Sequence, residues 1–247
     1  GDVLTTKIVV SYNGAHPYFT NAGSIGVSFP LQDRYTDSVT CRDYRCHAHI
    51  FCGENTSYIM ALRMGGAAPH MGMVLTKGSL SAYSVERDLK LQSNDRGCFW
   101  LHPSAQEFAP GDTMTLEWKV FPHQGRKDFR EKLRAFSQAI RVDAEQYVIY
   151  PGETSKVTIE PAVPAEKVTV NGTPLKKTEK GVYEYLFESS KTGEYVLSIC
   201  ADEVKTICRL LVQERPEILA AKRCTFIIDH QQYHGKIKEL QGAYLPY

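Results

Sequence analysis

No stretch of the chain reaches about eighteen consecutive apolar residues, so nothing in the sequence reads as a membrane-spanning helix. An excess of either charge is also missing. The 29 Lys and Arg are matched by 28 Asp and Glu, for a formal net charge of +1. A protein that grips duplex nucleic acid needs a basic face to displace counterions from phosphate, and this balance argues against one. Low-complexity runs and internal repeats are absent. So are the Gly-x-Ser-x-Gly elbow of serine hydrolases, the His-Glu-x-x-His zinc motif and the Gly-x-Gly-x-x-Gly dinucleotide turn. The loop Gly65-Gly66-Ala67-Ala68-Pro69-His70 lacks the Lys and Ser/Thr of a phosphate loop, and no helical pattern follows it. What remains is ordinary globular composition, 43% hydrophobic and 23% charged over 247 residues. That excludes a disordered or collagen-like chain and leaves room for one or two domains.

Seven cysteines are present, at 41, 46, 52, 98, 200, 208 and 224. The number is odd, so at least one thiol stays unpaired, and a chain this long does not need disulfide staples. Cys200 and Cys208 look like hairpin partners. On alternating strands, however, Cys208 shares a face with Leu210 and Val212, while Cys200 points away from Leu197 and Ile199. Mostly free, core-packed thiols are expected.

Residues 1–125 read as all-β. Short apolar runs at 7–12, 24–29, 47–51, 57–63, 72–76, 80–86, 98–102 and 113–121 are separated by Gly, Asn and Pro turn signals. The last run alternates, with Met114, Leu116, Trp118 and Val120 on one face. Phe129, Leu133, Phe136 and Ile140 then recur at helical spacing, which predicts a linker helix within 126–141. Lys132 and Arg134 fall on its wet side. Residues 142–213 return to strand patterns, with a turn at Tyr150-Pro151-Gly152-Glu153 and a hairpin signal at Asn171-Gly172. Gly193-Glu194-Tyr195 entering a late strand is similar to the tyrosine corner of immunoglobulin-like sandwiches. From 214 onward Pro216 suits a first helical turn. Ile218, Leu219, Phe226, Ile227 and Ile228 are too apolar for a solvated tail. The absent initiator Met and this apolar close give the expectation of a piece cut from a longer protein, with residues 214–247 starting a further helical domain.

The densest polar cluster, Cys41 to Cys52, places His47 and His49 two apart, on one strand face. Cys46 and Cys52 lack the second knuckle of a structural zinc site, so no metal is expected. Glu86, Arg87, Asp95, Trp100 and His102 mix carboxylates, guanidinium and aromatic rings, a composition suited to a sugar groove. Aromatic faces stack on sugar rings, and charged planar groups hydrogen-bond hydroxyls. Glu86 and Asp88 share a strand face with no opposing wall, so no acid–base pair is assigned there.

Several segments carry a resemblance. They are Ala61-Leu62-Arg63-Met64-Gly65-Gly66, Tyr83-Ser84-Val85-Glu86-Arg87-Asp88, Asn94-Asp95-Arg96-Gly97, Leu101-His102-Pro103, Phe108-Ala109-Pro110-Gly111-Asp112 and Trp118-Lys119-Val120-Phe121-Pro122-His123. Taken in order, they resemble the N-terminal region of bacterial six-hairpin-glycosidase-like proteins. The resemblance implies a galactose-mutarotase-like β-supersandwich, then an Ig-like module, then the start of an (α/α) toroid. The fold expected is therefore mainly β: a β-supersandwich (1–125), a linker helix (126–141), a small Ig-like β-sandwich (142–213) and a short C-terminal helical segment (214–247). The hydrolytic carboxylates of such proteins sit on the toroid, so no catalytic residue is assigned here. The expected role is a non-catalytic scaffold of a glycoside hydrolase, periplasmic or secreted, with carbohydrate and the missing helical domain as partners and no cofactor. His47, His49, Arg63, His70, Glu86, Arg87, Asp95, Trp100 and His102 are the sugar-contact candidates. Two alternatives stand beside this reading. One is a carbohydrate-binding or cell-surface module with Trp100 as a stacking platform. The other is an aldose epimerase using His and Glu, although His70, His102 and Glu117 match no mutarotase spacing.

Overall fold

The computed structural model describes residues 2–86 and 96–244, the side chains of 96 and 97 excepted. The chain divides into two compact units. One is Gly1–Asp143 with Thr158–Glu184 and Leu197–Cys208; the other is Ala144–Val157 with Tyr185–Val196 and Arg209–Tyr247.

The first stretch of chain runs β1 (Leu4–Ser11), β2 (Tyr18–Phe19), β3 (Val27–Asp33), α1 (Ser38–Tyr44), β4 (Cys46–Gly53), β5 (Thr56–Arg63), β6 (His70–Lys77), β7 (Leu80–Glu86), β8 (Arg96–Pro103), β9 (Glu107–Phe108), β10 (Thr113–His123) and α2 (Arg126–Phe136). A five-stranded sheet has the order β1-β10-β6-β5-β4, and a three-stranded sheet has the order β3-β8-β7. Ile59, Ala61, Met73 and Leu75 of the larger sheet share one buried cluster with Phe99 and Leu101 of the smaller, which makes a β-sandwich. Trp118 enters this core beside Phe29, ring centroids 6.4 Å apart.

The central strands β5 and β6 are apolar on both faces because both faces are covered. Met60, Val74 and Phe121 turn away from the sandwich core and pack with Phe129 of α2, flanked by Tyr58, Leu133 and Phe136. Phe129 is 2% exposed, and burying a side chain of that size is worth roughly 1.5–3 kcal/mol. Gly72 lies under this layer. A Cβ there would come 2.6 Å from the Phe121 ring.

The predicted helix is shorter than its apolar spacing suggested. It stops at Phe136, where the Ser137 hydroxyl and N–H both donate to the Leu133 carbonyl. Ile140, expected on the helix face, instead begins a strand, and its N–H donates to the Thr56 hydroxyl at 3.1 Å. Lys132 is half-buried, its ammonium donating to the Pro122 carbonyl and to Asp128. The short helix α1 has no apolar periodicity to mark it in the sequence. Its signal is the Asp37 cap, whose carboxylate accepts from the N–H groups of Val39 and Thr40.

Later elements are β11 (Ile140–Ala144), β12 (Val148–Ile149), β13 (Thr154–Pro161), β14 (Val168–Val170), β15 (Thr173–Pro174), β16 (Tyr183–Glu188), β17 (Gly193–Ala201), β18 (Val204–Val212) and α3 (Pro216–Phe226). They form a three-stranded sheet, β11-β13-β16, and a five-stranded one, β12-β18-β17-β14-β15. The Asn171-Gly172 hairpin forms as expected, both residues at positive φ (49° and 80°) between the paired Val170 and Thr173. The tyrosine corner also forms. The Tyr195 hydroxyl donates to the Lys191 carbonyl at 2.8 Å and pairs with Ser189 Oγ. Pro216 opens α3 at its first turn.

All seven cysteines are free thiols, but the core-packed expectation holds only in part. Cys208 is buried, five others are half-buried and Cys224 is exposed. Burial pushes the Cys46 thiol up to about 11 and Cys52 up to about 12, so both stay protonated and inert near neutral pH. No helix among the described residues is long and apolar enough to cross a membrane.

Candidate functional site

Alternation along β8 sends Phe99 and Leu101 into the core and Cys98, Trp100 and His102 to the outer face. Register then chooses their neighbours. Trp100 lies opposite Ser28 on β3 and Ser84 on β7, and Cys98 lies opposite Glu86. The Trp100 indole N–H donates to the Glu86 carboxylate at 3.3 Å. At its other edge, Trp100 Cε3 lies where a Cβ on Gly26 would be 3.2 Å away. One end of the indole therefore reaches the β7 side and the other the β3 side. His102 is held at both ring nitrogens. Nδ1 lies 2.9 Å from the Ile25 carbonyl, which makes it the protonated nitrogen, and Nε2 accepts from Ser84 Oγ at 2.8 Å. Trp100 and His102 are half-buried, and Ser84 and Glu86 are exposed.

Arg63 and His70 meet elsewhere, beside a cleft of about 1000 Å³ that Phe29, Gln32, Trp118 and Pro122 also line. Their contact runs through the backbone. The Arg63 N–H donates to His70 Nδ1 at 3.1 Å, while the Arg63 guanidinium donates to the Asp43 carbonyl. Behind His70 stands His123, ring centroids 5.3 Å apart. His123 is 0% exposed, and its Nε2 has no partner among the described residues. Burial is the main force holding its imidazole below the ordinary range, and the neighbouring His70 adds to it. No spacing motif pointed to His123, because its distinction is burial. The Glu117 carboxylate is taken up by the Thr76 hydroxyl.

His47 and His49 share a face of β4, opposite Leu62 and Met60. Tyr35 packs on His47, with its hydroxyl 3.5 Å from Nδ1. Neither joins the other two groups through a described hydrogen bond. Arg87 and Asp95 lie outside the described residues. The seven described candidates thus fall into three separate groups, and among the described residues Glu86, Trp100 and His102 build one connected surface, to which Ser84 and Gly26 are additions. Among the described residues no cluster of three or more His, Cys, Asp or Glu is placed to hold a metal.

A scan against family models and a search of curated proteins find no match. Among solved structures, a polysaccharide lyase is similar, with a TM-score of 0.85 and 29% sequence identity. The likeness covers 98% of this chain and 37% of the lyase, so the chain spans little more than a third of that protein's length.

Proposed function

We propose that this chain is the β-sandwich portion of a carbohydrate-active protein and serves it as a scaffold that contributes sugar-contacting surface. The likeness to a polysaccharide lyase carries this reading, because it runs through 98% of the chain at 29% identity and leaves most of the lyase outside the match. Bond cleavage then belongs to the remainder of the protein. Elimination is the reaction the similar structure's name favours, and hydrolysis by a six-hairpin toroid is the alternative. The proposed division is a supersandwich to 125, a linker helix to 141, an Ig-like module to 213 and the opening of a helical domain after it. In this reading the exposed Ile218, Leu219, Phe226 and Ile228 of the tail pack into that domain. Work on polysaccharide outside the cytoplasm, periplasmic or secreted, completes the proposal.

The test compares this chain with the product of its gene's complete reading frame on a panel of plant and host polysaccharides. Ultraviolet absorbance of unsaturated ends reads elimination, and new reducing ends read any cleavage. The complete product is expected to cleave at least one polysaccharide and the chain alone none. Turnover by the chain alone sinks the scaffold role.

A further inference from the structure

We infer that the outer face of the β3-β8-β7 sheet is a sugar-binding platform on which one pyranose ring stacks against the Trp100 indole, with its hydroxyls donating to the Glu86 carboxylate and to Ser84 Oγ, whose own proton is held by His102 Nε2. This rests on the carbohydrate reading above and adds a site to it. The argument starts from the orientation of the indole. A tryptophan standing off a strand has free edges. Trp100 instead reaches both neighbouring strands, its N–H on Glu86 at 3.3 Å and its benzo edge against Gly26. Neighbouring strands are about 4.8 Å apart, so a side chain tied on both sides lies across the sheet. The long axis of the indole then runs across the sheet, and in the proposed complex one ring face lies toward the backbone and the other toward the ligand; Trp100 is half-buried.

The surroundings are prepared in the same way. His102, next along the face, is pinned at Ile25 and Ser84, so the platform's floor is ordered before any ligand arrives. Ordering side chains in advance removes part of the entropy cost of binding. Gly26 is the enabling residue, since a Cβ there would press on Trp100 and on His102 Cε1, 3.3 Å away. A pyranose fits this arrangement because its axial C–H bonds make one face apolar while its equatorial hydroxyls project from the rim. The apolar face meets the indole π-surface. The rim hydroxyls meet an exposed carboxylate, a strong acceptor, and an exposed serine hydroxyl. The carboxylate favours neutral sugars over anionic ones.

The experiment is isothermal titration calorimetry of the full 247-residue chain with cellohexaose, maltohexaose, a β-1,4-galactan hexamer and a galacturonan hexamer. Saturable binding of at least one neutral hexamer is expected, stronger than that of galacturonan. Trp100→Ala is expected to weaken it about tenfold or more, and Gly26→Val to weaken it by lifting the ring. Glu86→Gln, which still accepts from the indole N–H, retains more affinity than Glu86→Ala. Circular dichroism and a urea titration establish that each variant is folded. Absence of binding to every probe overturns the platform, as does binding that Trp100→Ala leaves unchanged or a preference for galacturonan. Loss of the platform alongside polysaccharide cleavage by the complete reading frame leaves the scaffold reading standing. A complete frame that cleaves no polysaccharide removes that reading instead.

Discussion

The two outward faces of the sandwich obey the same two-residue alternation and end with opposite chemistry. On the five-stranded sheet the outward set is Tyr58, Met60, Val74 and Phe121, and α2 lays Phe129, Leu133 and Phe136 on it. On the three-stranded sheet the outward set is Ser28, Ser84, Glu86, Cys98, Trp100 and His102, joined by hydrogen bonds between side chains. An apolar outward face has to be buried, and here a helix does it. A face that mixes aromatic and polar groups satisfies its own polar atoms through side-chain hydrogen bonds and needs no covering helix. The first face bears on stability, and the second is the one proposed for recognition.

That contrast breaks if mutations on the two faces cost the same. Phe129→Ala is expected to have the largest effect, about 3–5 kcal/mol in urea denaturation, since it leaves a cavity under a rigid sheet. A loss below about 1 kcal/mol would falsify the role given to α2, since exposed substitutions stay within about half that. Gly72→Ala ranks next. Its Cβ meets the Phe121 ring at 2.6 Å, and overpacking of this kind costs about 1–3 kcal/mol.

Acid should act on the helix-covered face through His123. Its folded imidazole lies below the ordinary 6.5, so the unfolded chain takes up the proton first. The contribution of His123 to stability is therefore level above about pH 6.5 and is lost as pH drops from there toward the folded value. His123→Phe is expected to flatten the urea midpoint across that window; an unchanged slope assigns the acid sensitivity elsewhere. Asp128 acts lower on the scale. The Gln124 N–H and then Lys132 hold its carboxyl below the ordinary 3.8, and the stability it contributes is lost only as pH falls below that value. The smallest effect belongs to the other face, where Glu86→Gln should move the urea midpoint by no more than the equivalent of about 0.5 kcal/mol. Thiol labelling sharpens the picture without energetics. Cys224 should react first in the native chain, with Cys46, Cys52 and Cys208 labelled only on unfolding.

Strands were easy to read where turn residues bracket an apolar run, as in β5, β7 and β10. The end of α2 was not, because Ile140 continues the helical spacing while the Ser137–Leu133 bonds and the Thr56 hydroxyl take the backbone into a strand. Helix α1 is short and polar, so only the Asp37 cap announces it. Of the site, the pairing of Trp100 and His102 on one face follows from their spacing on β8. Their ties to Glu86, Ser84, Gly26 and Ile25 depend on register across three strands, which a one-dimensional pattern does not contain. His123 carries no sequence signal of its own, because burial alone sets it apart.

The amino-acid order alone determined the β character, the turns at Asn171-Gly172 and Tyr150–Glu153, and which side chains leave each strand together. Backbone stereochemistry decides those matters within a few residues. Tertiary structure decided which outward face receives a helix, which carboxylate reaches the indole and which histidine loses water. Each of these depends on residues far apart in the chain arriving at one place, where packing and desolvation outweigh local preference.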